Sequence, residues 1–208
     1  MKKNTESISY LRLFHALPTP NSYDIYLDEK KIKKDFLYED FTPYYPLSSG
    51  THTFTLCAYK HHDSLYTRQL TLNPHKIYTL VLAYEPSTLN IQSYLLVDIP
   101  KPIPEEHFLM RCGNFSLLTK PLTLHLADTK PIFKKVPLRQ NSVYLAFTPT
   151  IATLELVSQE NQTIVFTQTT QPLKVSRYYS LYLIGGHLNY PLKWITTLDG
   201  NAYLTFDS

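Results

Sequence analysis

The residues of this sequence with the clearest potential for chemistry are histidines gathered around one predicted hairpin. His52, His61, His62 and His75 surround it, and Asp63 follows the adjacent pair. Imidazole and carboxylate groups are common transition-metal ligands, so a metal-dependent enzyme using His61, His62 and Asp63 is one hypothesis. The spacings His-x-x-x-His and Cys-x-x-Cys are absent, and the second half of the sequence has no equivalent histidines. A solvated polar loop is therefore favoured, and we expect no metal, no cofactor and no catalytic residue.

A second group of polar residues recurs in both halves of the chain. His15, at the end of the first predicted strand, aligns with Asn114 in the second half. Both side chains donate and accept hydrogen bonds, but only histidine is suited to acid–base catalysis. The exchange of His for Asn therefore indicates a structural position that caps a neighbouring loop.

Arg12 and Arg111 also recur, three residues before that position. Strand alternation puts them on the opposite side from the neighbouring leucines, so they are predicted to face outward. Asp98 and Asp199 recur at the end of each half and are candidate partners for the arginines. An anion site built on these residues is the alternative to a structural ion pair.

Other motifs that would indicate a function class are missing. The basic run at residues 30–34 is flanked by acids, which weakens attraction to phosphates, and the net charge is only +3. No P-loop, nucleophile elbow or dinucleotide fingerprint occurs. Cys57 and Cys112 lie in different halves and are predicted to be free, unreactive thiols. We expect neither nucleic-acid binding nor membrane insertion.

The elements that must position these residues come from a faint internal repeat. Tyr23–Leu27 aligns with 122–126, residues 53–57 with 153–157, and 78–82 with 179–183, at offsets of 99, 100 and 101. A unit of this length is a complete domain rather than a solenoid repeat. The sequence therefore predicts domains at 7–98 and 107–208, joined by a linker at 99–106 that contains three prolines.

Each half has the pattern of an all-β domain. Short runs of β-branched and aromatic residues alternate in polarity, and Pro, Asn, Asp or Gly usually bounds them. Hydrophobic residues make up 43% of the chain and charged residues 18%, which is a globular balance. No stretch has helical periodicity or the length of a membrane span. The prediction is two tandem antiparallel β-sandwiches of immunoglobulin-like type.

The first strands also carry a family signature. Leu11-Arg-Leu-Phe-His-Ala-Leu-Pro18, followed by Tyr23-Asp-Ile-Tyr-Leu-Asp28, resembles the start of a bacterial domain-of-unknown-function family, DUF4397. Ser49-Gly-Thr-His-Thr-Phe54 and Tyr78-Thr-Leu-Val-Leu-Ala83 match its later elements. The sequence departs from the family pattern in two turns, where Leu17 replaces Ser and Glu29 replaces Gly. The second half resembles a degenerate second copy.

The resemblance implies a β-sandwich often found on exported bacterial proteins, with no established activity. Together with the absence of a catalytic motif, it leads to a non-catalytic structural or protein-interaction module, such as a component of a bacterial cell envelope or spore coat. The partners would be other proteins or further copies of the chain. The alternative is a small-ligand or carbohydrate-binding module, in which exposed tyrosines stack on the ligand.

Two further expectations concern the surface and the location. Tyrosines crowd the first half, and alternation predicts that several of the following nine are exposed: Tyr23, Tyr26, Tyr38, Tyr44, Tyr45, Tyr59, Tyr66, Tyr84 and Tyr94. The N-terminal segment has two lysines but no apolar stretch after them, which is unlike a secretory signal. We therefore expect a chain made in the cytoplasm and deposited on a spore or cell surface.

Overall fold

The computed structural model describes residues 7–61, 63–127, 131–150 and 152–206, and these are mostly β-strand. In the first half the strands are β1 (Ile8–His15), β2 (Tyr23–Leu27), β3 (Lys30–Phe36), β4 (Tyr45–Ser48), β5 (Gly50–Ala58), β6 (Ser64–Leu72), β7 (Ile77–Tyr84) and β8 (Ile91–Val97). In the second half they are β9 (Phe108–Asn114), β10 (Leu122–Leu126), β11 (Pro131–Phe133), β12 (Leu145–Phe147), β13 (Ala152–Ser158), β14 (Ile164–Thr170), β15 (Tyr178–Ile184) and β16 (Lys193–Leu198).

Helical structure is minimal in the described part of the chain. It consists of one 3₁₀ turn at Gly200–Ala202. The described residues contain no helix that is long and apolar enough to cross a membrane.

The chain divides into two compact units. One unit extends to Ile99 and also contains the C-terminal segment from Tyr203, while the other is Pro100–Ala202. The predicted second domain, 107–208, therefore extends too far at its C-terminal end. The reason is aromatic packing, because the Phe206 ring lies 5.4 Å from the ring of Tyr10 on β1.

The first unit is a sandwich of two four-stranded sheets. Their strand orders are β4-β1-β7-β8 and β3-β2-β5-β6. All pairs are antiparallel except β1 with β7, which run parallel. Both strands of the parallel pair are buried along most of their length, as expected for central strands covered on both faces.

The second unit has the corresponding architecture. Its sheets have the orders β12-β9-β15-β16 and β11-β10-β13-β14, and β9 pairs in parallel with β15. Each strand thus occupies the place of the strand eight positions earlier. The prediction of two tandem all-β sandwiches is confirmed, with one parallel pair in each.

Alternation of side chains along the strands creates both cores. In β5 the inward positions Phe54 and Leu56 are fully buried, and in β13 Leu154 and Leu156 occupy the same places. Phe54 and Leu56 belong to one core cluster with Leu13 of β1. Leu154 and Leu156 belong to the corresponding cluster of the second unit with Met110 of β9. Burial of apolar area between the two sheets is the main source of stability in each unit.

The basic run lies on an edge strand. Its lysines lie on β3, at the edge of the sheet, with Lys31 Nζ 2.6 Å from Asp24 Oδ2 on β2. Lysines on an edge strand oppose pairing with another chain. The charge in this run therefore protects an exposed backbone edge.

The turn between β2 and β3 suggests a stabilising substitution. Asp28 and Glu29 form a two-residue loop, and both have positive φ angles, 48° and 65°. This conformation favours glycine at the second position. We expect Glu29→Gly to raise the free energy of unfolding of the first sandwich by about 0.5–1 kcal/mol.

Denaturant unfolding measures this effect, with Glu29→Ala as the control. Alanine removes the same carboxylate but keeps a Cβ, so it should give no gain. Equal effects of the two substitutions would show that charge, and not backbone strain, is the cause.

Candidate functional site

The recurring polar residues of the second sandwich meet in one buried cluster. Arg111 on β9 donates from Nε to the Ser180 hydroxyl on β15 at 2.8 Å. Its Nη2 lies 3.4 Å from Oδ2 of Asp199, which follows β16. The same carboxylate oxygen accepts hydrogen bonds from Ser180 at 2.7 Å and from the Tyr144 hydroxyl at 2.6 Å. A buried arginine and a buried aspartate are thus paired and hydrogen-bonded.

Two loop residues complete this cluster. The Arg111 guanidinium lies 4.7 Å from the centre of the Tyr144 ring, within the range of a cation–π contact. Asn141, with its amide oxygen turned toward the guanidinium, accepts from Arg111 Nε at 3.0 Å. The arginine is therefore held by a strand, a carboxylate and a loop.

The first sandwich repeats most of this arrangement. Arg12 Nε donates to the Thr79 hydroxyl at 2.9 Å, and its guanidinium lies 4.9 Å from the ring of Tyr44. The Tyr44 hydroxyl donates to Asp98 at 3.2 Å. Thr79 and Ser180 occupy corresponding strands, as Tyr44 and Tyr144 occupy corresponding loops.

The predicted outward orientation of the two arginines needs correction. Arg12 and Arg111 do lie opposite the inward leucines, yet they are only 3% and 2% exposed. Aromatic residues from the segments before β4 and β12 cover that face of the sheet. Arg12, for example, also lies 5.1 Å from the ring of Phe41. Alternation predicts the face of a sheet but not whether a loop covers it.

The polar groups of these clusters are buried and bonded to one another, which limits the chemistry they can perform. In the second sandwich the donors of Arg111 are directed at oxygens of Ser180, Asp199 and Asn141. A buried network that is satisfied in this way stiffens a fold. The geometry does not favour the alternative of an anion site, because these donors already have protein partners.

His15 and Asn114 make the same local hydrogen bond. Nδ1 of His15 accepts from the backbone N–H of Leu17 at 3.3 Å. The side-chain oxygen of Asn114 accepts from the N–H of Ser116 at 2.9 Å, and its amide donates to the Leu118 carbonyl. Each side chain thus holds the turn that follows its strand.

The environment of His15 keeps its ring neutral. Nδ1 accepts a hydrogen bond, so Nε2 carries the proton, and it has no hydrogen-bond partner among the described residues. The rings of Tyr23 and Phe36 lie 5.3 and 5.4 Å away. Burial lowers the pKa of His15 to about 3. A base this weak is unsuited to proton transfer near neutral pH.

A second histidine, His52, makes a contact with Asp28 that no pattern in the sequence indicates. His52 on β5 lies with Nδ1 2.6 Å from Asp28 Oδ2 and donates from Nε2 to the Ser48 carbonyl, 2.8 Å away. Burial lowers the pKa of His52, but the bonds to Asp28 and Ser48 outweigh it and the net shift is upward. Because Asp28 lies in the β2–β3 turn and also accepts from Thr53 N–H, this contact fixes the hairpin.

The proposed metal ligands do not form a cluster in the described part of the chain. His61 and Asp63 are exposed, and His62 lies outside the described residues. The described residues contain no group of three His, Cys, Asp or Glu side chains able to hold a metal ion.

The tyrosines differ from the prediction. Of the nine tyrosines in this prediction, Tyr23 is buried and the other eight are half-buried. Several of their hydroxyls bond within the first unit, as when Tyr45 donates to the Ile32 carbonyl at 2.9 Å. The expectation of several exposed tyrosines is wrong, because their rings pack along the sheets and against loops.

Both cysteines are buried, and neither forms a disulfide in the described part of the chain. Burial raises the pKa of the Cys57 thiol, and it raises that of Cys112 to about 12. Thiols of this kind are poor nucleophiles because little thiolate forms near neutral pH.

A groove lies on the surface of the second sandwich, outside the clusters. Its volume is about 360 Å³, and it runs between β14 and β16. Its lining is uncharged and includes Gln168, Thr170, Gln171, Leu173 and Trp194. Amide and hydroxyl groups beside apolar side chains suit a neutral ligand better than an ionic one.

Comparisons with known proteins identify a family. A search of curated proteins finds no match. Among solved structures, one similar chain is CBMbc, a family 26 carbohydrate-binding module from Eubacterium rectale Amy13K in complex with maltoheptaose. The identity is 10% over 92% of this chain and 95% of that chain, with a TM-score of 0.26. A family model described as a domain of unknown function, DUF4397, matches residues 9–125, more than half of the sequence. The chain therefore belongs to the DUF4397 family.

Proposed function

We propose that this protein is a non-catalytic structural or protein-interaction module. The observation that supports this most is that the recurring polar residues are buried and bonded to one another. Arg111, Asp199 and Tyr144 are bonded to one another in the interior of the second sandwich. Catalysis requires such groups in a pocket that substrate can enter.

We also propose that the second sandwich is a degenerate copy of the family domain. The matching strand orders support this, as does the repetition of an Arg–hydroxyl–Tyr–Asp set in both units. The change from His15 to Asn114 would preserve the turn while changing the residue type.

A bacterial envelope or spore-coat layer is the proposed location. The family resemblance supports a surface role, since such domains often occur on exported bacterial proteins. Immunodetection in fractionated cells and spores tests this location. Recovery only in the soluble fraction would contradict it.

A small-ligand or carbohydrate-binding module is the second candidate function. The uncharged groove beside Gln168 and Gln171 favours it. The neutral hydrogen-bonding groups of this groove suit sugar hydroxyls. The tyrosines of the first sandwich argue the other way, because they are half-buried and offer less surface for stacking on a sugar than the sequence predicts.

Thermal unfolding with added ligands separates the two candidates. A ligand at a hundred times its dissociation constant stabilises a protein by about 2.7 kcal/mol. For a domain of this size that is a rise in Tm of roughly 10 °C or more. We expect no such rise with neutral oligosaccharides or divalent metal ions. A clear rise with an oligosaccharide that Gln171→Ala removes would support the binding module instead.

A further inference from the structure

Most sheet edges in the described part of the chain have a feature that discourages pairing with another chain. Edge strand β3 contains four lysines, β4 contains Pro46, and β6 contains Arg68. In the second sandwich β11 and β12 are only three residues long, and β11 begins with Pro131. Lysine, proline and short length are the usual protections of exposed strand edges.

The edges β8 and β16 are protected by side chains from the opposite sheet. Arg68 of β6 donates to the carbonyl of Ser93 on β8, and Tyr66 accepts from the Ser93 N–H. In the second sandwich Gln168 makes the corresponding pair of bonds to the N–H and carbonyl of Trp194 on β16. These contacts occupy backbone groups of both edge strands.

The remaining edge, β14, lacks both kinds of protection over residues 166–169: within the described part of the chain these residues include no lysine or proline, and no side chain of the opposite sheet bonds to their backbone. Residues 161–173 contain no charged side chain, and β14 itself contains no proline. Ile164 and Val165, at its start, are 56% and 41% exposed. A shift in register leaves Val165 as a bulge, so the regular edge is Phe166–Thr170. Uncharged β-branched segments on an open edge are sites of strand addition.

We propose that β14 pairs antiparallel with β14 of a second copy of this chain. A two-fold axis near Gln168 places Thr167 opposite the partner's Thr169, and Phe166 opposite the partner's Thr170. Every residue in this pairing is uncharged, so no like charges oppose each other, and threonine pairs are favourable across strands. Identical edges also satisfy the closed symmetry of a two-fold dimer.

The two sheets would join into one sheet of eight strands through this edge. The inference rests on the proposed function, because it names the partner and the surface of an interaction module. The side chains of Thr167 and Thr169, on the outer face of β14, are both exposed.

Sedimentation equilibrium over rising protein concentration tests the pairing. We expect the wild-type mass to rise from 24.2 kDa toward twice that value. The double substitution Thr167→Lys with Thr169→Lys places lysines opposite each other in the dimer, and should weaken dimerisation at least about tenfold. The lysine introduced by Thr167→Lys would neighbour Glu155 on β13, so the monomer should stay folded, and circular dichroism checks this.

The matched control is Thr67→Lys with Gln69→Lys. These residues have the same positions on β6, are exposed, and add a similar positive charge. The control should dimerise like the wild type. A wild type that stays monomeric, or lysine variants of β14 that dimerise normally, would overturn the proposed pairing. Either result would contradict the β14 pairing without contradicting the proposal of a non-catalytic module. If only the β6 variant lost dimerisation, the interaction function would stand, but its surface would be β6 and not β14.

Discussion

Replacing Asp199 by alanine is expected to lower the free energy of unfolding of the second sandwich by about 3–5 kcal/mol. Asp199 is fully buried, and its Oδ2 accepts from Tyr144 and Ser180 and lies beside Arg111. Removing the carboxylate leaves a buried guanidinium without its opposite charge. It also leaves two hydroxyl groups without their acceptor.

The control for this change is Tyr144→Phe. It removes one hydrogen bond to Asp199 but keeps the ring near Arg111. It should therefore lower the free energy of unfolding by only about 1–2 kcal/mol. Both values come from denaturant unfolding, followed by a probe of the second unit such as Trp194 fluorescence. Equal losses for the two variants would mean that the ion pair adds nothing beyond one hydrogen bond.

Lowering the pH from 6.5 to 5 is expected to destabilise the first sandwich by about 2 kcal/mol through His15 alone. The folded protein holds this ring neutral because burial lowers the pKa of His15 from 6.5 to about 3. The unfolded chain takes up a proton near its ordinary pKa. Between these two values the unfolded state binds more protons, so stability falls as the pH falls through that window.

The variant His15→Asn isolates this effect. Asparagine does not titrate, and Asn114 shows that an amide can hold the equivalent turn. The variant should be somewhat less stable at pH 7, because it loses packing against Tyr23 and Phe36. Its stability should then change much less between pH 6.5 and 5 than that of the wild type. Parallel pH profiles for the two proteins would show that His15 is not the group responsible.

The sequence predicted the features that depend on strand periodicity. Repeated motifs such as Tyr23–Leu27 and 122–126 fall on β2 and β10, which have the same place in their sheets. Alternation also places Phe54 and Leu56 on one face of β5, and both are buried. These properties follow from local geometry, because a strand places every second side chain on the same face.

The features that depend on loops were not predictable in the same way. Tyr44 and Tyr144 lie in segments without periodicity, yet they cover Arg12 and Arg111 and bury them. The contact between His52 and Asp28 joins residues far apart in sequence through the β2–β5 pairing. The recurrence of Thr79 and Ser180 at an offset of 101 was the one available signal for their role in the clusters.

The same limit explains the tyrosines. The pattern of the first half predicts which face of a sheet each ring occupies, but the coverage of that face is set by neighbouring strands and loops. Tyr45, for example, reaches the Ile32 carbonyl of β3 from β4 in the other sheet. Exposure is therefore a property of tertiary structure.

The most direct test of the claim that the buried clusters serve architecture is a comparison of Asp199→Ala with the double variant Arg111→Met and Asp199→Ala. Both are measured for unfolding free energy and for self-association. Because the double variant lacks the uncompensated guanidinium, its free energy of unfolding should be about 1–2 kcal/mol higher than that of Asp199→Ala alone. Self-association of the folded double variant should match the wild type. A double variant that is as stable as the wild type but no longer associates would contradict the account, because it would place function in the cluster.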